Sequence, residues 1–141
     1  MSRIVLGGLA YAVPTFALGF VWHLVLFQRH YEALAIYRSD IIVPFGLVAI
    51  VLQGAIFAWL YEKAFAPRSA AFWPQALAYA ALGATLSWSY TTLAVGAKHV
   101  MTSVPNYLLI ETGFTIAQWL IVGPLTVLAF RQPLPLMRGR A

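Results

Sequence analysis

Four apolar stretches, residues 4–28, 41–61, 72–97 and 107–130, take up most of this chain, and each is long enough to cross a bilayer. A hydrocarbon core roughly 30 Å thick takes about 20 helical residues. Glu111 is the only acidic residue inside any of the four stretches. A chain built this way has few options: in lipid every backbone N–H and C=O needs an internal partner, which a helix supplies. The expected fold is therefore an all-α membrane protein, an antiparallel four-transmembrane-helix bundle in a single domain spanning 1–141. A basic tail at 131–141 is expected to be mobile.

Composition excludes the main competing classes. With 62% hydrophobic and 9% charged residues, the chain has no segment from which to build a water-soluble domain. The absence of cysteine removes disulfides, thiolate metal sites and cysteine nucleophiles. The net charge of +5 could point to nucleic acid, but the basic residues stand singly at segment ends, where anionic headgroups are the natural partner. The expected partners are the lipid bilayer and a second copy or another membrane protein, not nucleic acid.

The first stretch is about twice as long as a secretory signal core and no small-residue cleavage site follows it, so a retained helix is expected. Arg3, Lys63, Arg68, Arg131, Arg138 and Arg140 fall on one side of the predicted membrane, Arg29, Arg38 and Lys98 on the other. That asymmetry places both termini in the cytoplasm. Pro14 predicts a bend in the first helix. Asp40 is the expected N-cap of the second, with Pro44 in its first turn. Residues 32–38, with Leu34, Ile36 and Tyr37, read as a short interfacial turn of helix. A Leu-Gly pair at Leu18-Gly19 recurs at Leu82-Gly83, a hint of two duplicated helical hairpins.

Polar residues within the stretches are few enough to name. Glu111, Thr115 and Gln118 fall at i, i+4 and i+7 of the last helix, and Thr85, Ser89 and Thr92 repeat that spacing in the third. Two such stripes on neighbouring antiparallel helices face each other or share a cavity. Glu111 carries two readings: a carboxylate near a helix N-terminus is electrostatically favoured and so can be structural, while an intramembrane charge is by default a substrate, proton or cation site. His23, His30 and His99 all fall toward the outer side. With Glu111 they compose a weak candidate metal set or proton relay, at spacings that match no known ligand motif. Solvation at the interface accounts for His30 and His99, and packing competes with a ligand role at His23. Gln53, Gln118, Thr115 and Ser89 are either interhelical glue or a polar path from Glu111 toward Gln53 suited to a small amphipathic molecule. Trp88 and Trp119 lie deep and are expected to pack in the core. No nucleotide loop, nucleophile elbow or zinc-protease motif is present, and no cofactor is expected.

The run Gly19-Phe-Val-Trp22-His-Leu-Val-Leu-Phe27, followed by Tyr31, Leu52-Gln53-Gly54 and the segment 113–123, resembles the small four-helix bacterial integral membrane proteins classed as a domain of unknown function. Their first helix carries a Gly-x-x-Trp-Tyr-like pattern, and His23 stands where they more often have Tyr. The resemblance implies a four-helix fold in a bacterial inner membrane and supplies no activity or site residues. The function expected from the sequence is non-enzymatic: binding of a lipid-like or small hydrophobic molecule, or service as an accessory membrane subunit. The alternative is an intramembrane enzyme or proton- or cation-coupled carrier that uses Glu111 with His23.

Overall fold

The computed structural model describes residues 2–65 and 71–132, which are helical throughout apart from short connections, with no strand among them. Helix α1 (Arg3–Val21) runs on into a π-helical stretch, Trp22–Leu26; α2 (Gln28–Leu34) follows at once. Next come α3 (Val43–Ala64) and α4 (Phe72–Ser87), the latter continuing through a second π-helical stretch, Trp88–Leu93, into α5 (Ala94–Lys98). The chain ends its described part in α6 (Val104–Arg131).

Three of these helical runs, Arg3–Leu26, Val43–Ala64 and Val104–Arg131, are long and apolar enough to span a membrane. The run through α4 and α5 matches them in length but carries Gln75 and a concentration of Ser, Thr, Trp and Tyr between Thr85 and Thr92, which lowers its hydropathy. Apart from Lys63 and Asn106 near helix ends, outward-facing side chains on the three apolar runs are themselves apolar, among them Val13, Phe20, Phe45, Val51, Leu109 and Leu120. Helices apolar on their exposed faces as well as their packed ones belong in lipid.

Helix α6 is the pillar: α1 packs along one side of it and α4 along another, while α3 packs mainly on α1. Glycines set these approaches. A Cβ on Gly54 would stand 2.9 Å from the Gly8 carbonyl oxygen, and one on Gly123 would stand 2.9 Å from that of Ala76. The backbones of α1 and α3, and of α4 and α6, are thus in near contact, as small residues permit in membrane interfaces. Gly83 lies beneath the indole of Trp119, where a Cβ would overlap the ring.

Two dry cores result. One gathers Tyr11, Phe57, Tyr61, Tyr79, Trp119 and Phe130 between the N-terminal part of α1 and the C-terminal part of α6. The other, at the opposite end, gathers Tyr31, Leu34 and Tyr107 against Trp22, Phe27 and Leu108. The second core depends on α2, whose end is tied to the loop before α6: Thr102 donates its N–H to Leu34 O at 3.1 Å and its hydroxyl to Ala33 O at 2.8 Å.

Local details correct several expectations. The interfacial helix begins at Gln28 and stops at Leu34, where Ala35 takes a left-handed conformation (φ 56°). Asp40 does not cap α3; its carboxylate pairs with Arg38 at 3.1 Å, and Ile42 occupies the cap position without a side-chain bond. Pro44 does sit in the first turn. Helix α3 runs past Tyr61 to Ala64, and α6 starts at Val104, where the Ser103 hydroxyl accepts the Asn106 N–H at 3.4 Å. The basic tail from residue 133 onward lies outside the described residues.

Candidate functional site

Between the two cores α1, α3, α6 and the second π-helical stretch leave a cavity of about 460 Å³. The i, i+4, i+7 stripe of α6 forms its polar side: Glu111, Thr115 and Gln118 are all buried and all line it. The Gln118 amide donates to Thr15 Oγ1 at 3.1 Å and to the Tyr11 hydroxyl at 3.3 Å, and that hydroxyl donates to Gln53 Oε1 at 2.8 Å. One hydrogen-bonded chain therefore crosses three helices, and it leaves the Gln118 and Tyr11 polar groups satisfied in an apolar setting, where an unpaired one would cost several kcal/mol.

At the other end of the cavity stands Glu111. Its Oε1 accepts the Tyr31 hydroxyl at 2.6 Å, and His23 Nδ1 is 3.9 Å away, beyond hydrogen-bond distance. That Nδ1 is instead shared with the Tyr37 hydroxyl at 2.9 Å. The imidazole lies between aromatic neighbours, its centroid 4.6 Å from the Phe114 ring and 4.7 Å from the Tyr31 ring. Tyr31 lies in α2, outside the hydrophobic segments. Burial pushes its phenol above the ordinary value, and the hydrogen bond to Glu111 acts in the same direction. The phenol is therefore held in its protonated, donating form.

The π-helical stretches bracket this arrangement. The first contains His23, and the second carries Thr91, whose carbonyl accepts the Tyr107 hydroxyl at 2.8 Å. Widened turns of this kind leave carbonyls to be satisfied by side chains and recur at functional sites. The hydroxyl face of the third segment that meets the cavity is not the one predicted. Ser89 is exposed, with its hydroxyl turned back to Leu86 O, and Thr85 is exposed likewise. Ser87 and Thr91, four residues apart, line the cavity in their place. Thr85 already faces outward in the regular part of the helix, so the predicted stripe lies on the wrong face before the π-helical stretch begins; Thr92 alone of the three is buried.

Of the four weak metal candidates, His23, His99 and Glu111 all line the cavity, while His30 does not. Among the described residues no group of three or more His, Cys, Asp or Glu is arranged to hold a metal ion. The α2 turn carries His30 away, and His99 directs Nδ1 toward the Val95 carbonyl at 3.3 Å. Trp119 is packed in the first core and Trp88 donates to Thr112 Oγ1 at 2.9 Å; neither lines the cavity. The sequence reading missed Tyr11, Thr15, Tyr31, Tyr37 and Tyr107. Tyr11 and Thr15 carried a signal, because they sit four apart on the same face of the first helix.

A groove of about 390 Å³ adjoins the cavity between α1 and the start of α3. Its outer walls are Phe16, Phe20, Leu24, Ile41, Val43 and Leu47; Thr15, Gly19, His23, Tyr37 and Ile50 belong to both hollows. A third hollow, of about 440 Å³, lies on the loop side and is lined by Gln28, Tyr31, Glu32, Arg38 and Ser39. His23 and Tyr37 line all three, so their hydrogen-bonded pair stands where the hollows meet. No family model matches the chain, and no curated protein or solved structure proves similar to it.

Proposed function

We propose that this is a four-span membrane protein of the bacterial inner membrane, with both termini cytoplasmic, that binds a small amphipathic molecule within its bundle. The run through α4 and α5 is the fourth span: it lies along α6 and is long enough to cross. The hydroxyls of Thr85, Ser87, Ser89 and Thr91 return to the helix's own carbonyls. The observation that carries the functional reading is the adjacency of the polar cavity and the apolar groove, which share Thr15, Gly19, His23, Tyr37 and Ile50 in their walls. Each hollow falls in the size range of small-molecule sites, about 300–1,000 Å³. One end offers a carboxylate and amide groups, the other only hydrocarbon, which is the pattern of an amphiphile. The groove lies between helix faces that carry Phe16, Phe20, Val43 and Leu47, so such a molecule reaches it from the lipid side without crossing water.

Native mass spectrometry of protein released from its own membrane in mild detergent tests this. The expected spectrum shows one small-molecule adduct per chain that survives delipidation of the outer surface. A spectrum of bare protein at every activation energy would contradict the reading.

A further inference from the structure

Among the described residues the cavity holds a carboxylate with no fixed cation: no Lys or Arg lines it. Glu111 has one hydrogen-bond donor among them, the neutral Tyr31 hydroxyl on Oε1, and its second oxygen has none. His23 is its only ion-pair partner among the described residues, at 3.9 Å. Whichever tautomer it adopts, its Nδ1 is engaged by Tyr37, as acceptor of the phenol or as donor to it. A buried carboxylate is costly unless it is neutralised by a proton or completed by a positive partner and hydrogen bonds.

Aromatic side chains share the cavity with that oxygen. Tyr37, Tyr107 and Phe114 line it along with Glu111, and a cation is attracted to the faces of such rings, more strongly as it is desolvated. An anionic head would instead meet Glu111 directly. The polar cavity has the room for a substituted nitrogen, and the adjoining groove has room for one aliphatic chain.

We infer that the ligand is a single-chain alkylammonium amphiphile, its cationic head against Glu111 within the aromatic walls and its chain in the groove between α1 and α3. This rests on the amphiphile-binding reading above and narrows it to one charge class.

The test uses the full chain in lipid nanodiscs, with empty nanodiscs as reference for partitioning, and three probes of equal chain length: dodecyltrimethylammonium, dodecanol and dodecyl sulfate. The wild-type protein is expected to bind the ammonium at least about tenfold more tightly than the alcohol, a difference of about 1.4 kcal/mol, and to bind the sulfate weakest. Glu111→Gln is expected to erase the preference while dodecanol binding is kept. If Glu111→Gln does not fold, Phe114→Leu removes an aromatic face at similar volume and should reduce the preference severalfold; an unchanged preference in it would overturn the inference. Equal binding of ammonium and alcohol by the wild type would overturn the charge assignment and leave the cavity reading standing. Binding of no probe above empty nanodiscs would overturn both.

Discussion

Trp119→Ala is expected to cost about 3–5 kcal/mol, the range for removing a buried aromatic side chain that its surroundings cannot close over. The indole is 1% exposed and lies within 6 Å, centroid to centroid, of Tyr11, Phe57 and Tyr79. Its Nε1 donates to Ser87 Oγ at 2.8 Å, and its six-membered ring fills the notch over Gly83. Collapse is blocked from both sides. Gly123 already holds α4 and α6 at backbone contact, and Gly54 does the same for α1 and α3, so no helix is free to move inward. Hydrophobic transfer contributes little between helices already in lipid, and the loss is mainly one of packing. Unfolding in mixed micelles with rising dodecyl sulfate, followed by circular dichroism, measures it. A loss below about 1 kcal/mol would show that the first core does not hold the helices together.

The second large effect concerns binding with the fold intact. Gly46 lies on the groove, and a Cβ built there meets nothing within 4 Å. Gly46→Phe therefore starts its side chain in open space, with the ring directed into the groove region. It also replaces a helical glycine with a better helix former, a gain of roughly a few tenths of a kcal/mol. The variant should be as stable as the wild type or slightly more so, yet bind a single-chain amphiphile at least about tenfold more weakly, because the ring takes the volume assigned to the chain. Stability and binding moving in opposite directions would separate an occupied groove from a structural defect. Unchanged binding would mean that the chain lies elsewhere.

Much of this arrangement was legible in the sequence, for reasons that also explain what was not. The apolar runs announce four membrane-length helices because backbone satisfaction in lipid leaves no alternative, and among the described residues three of them are long and apolar enough to cross. The stripe Glu111, Thr115, Gln118 could be placed on one face because α6 is regular over that region. The third segment was read wrongly at Ser89, since it carries two hydroxyl faces, Thr85 with Ser89 and Ser87 with Thr91, and spacing alone does not say which one turns toward the cavity. Tyr31 and Tyr37 were invisible for a different reason. They lie outside the apolar runs and reach Glu111 and His23 only because α2 folds back, a turn fixed by the left-handed Ala35 and by Thr102 some seventy residues away. Asp40 looked like a cap until Arg38, two residues earlier, took its carboxylate.

The central claim is that an amphiphile occupies the cavity and groove inside the bundle, and photolabelling tests it most directly. An alkyl probe with a diazirine beside its head, added to the protein in native membranes and mapped by peptide sequencing, should label cavity and groove residues, foremost Phe114, Thr115, Ile50 and Leu47. Label confined to the outward faces of α3 and α6, at Val48, Val51, Ile56, Leu109, Ile116 and Leu120, would be ordinary lipid contact and would contradict the account.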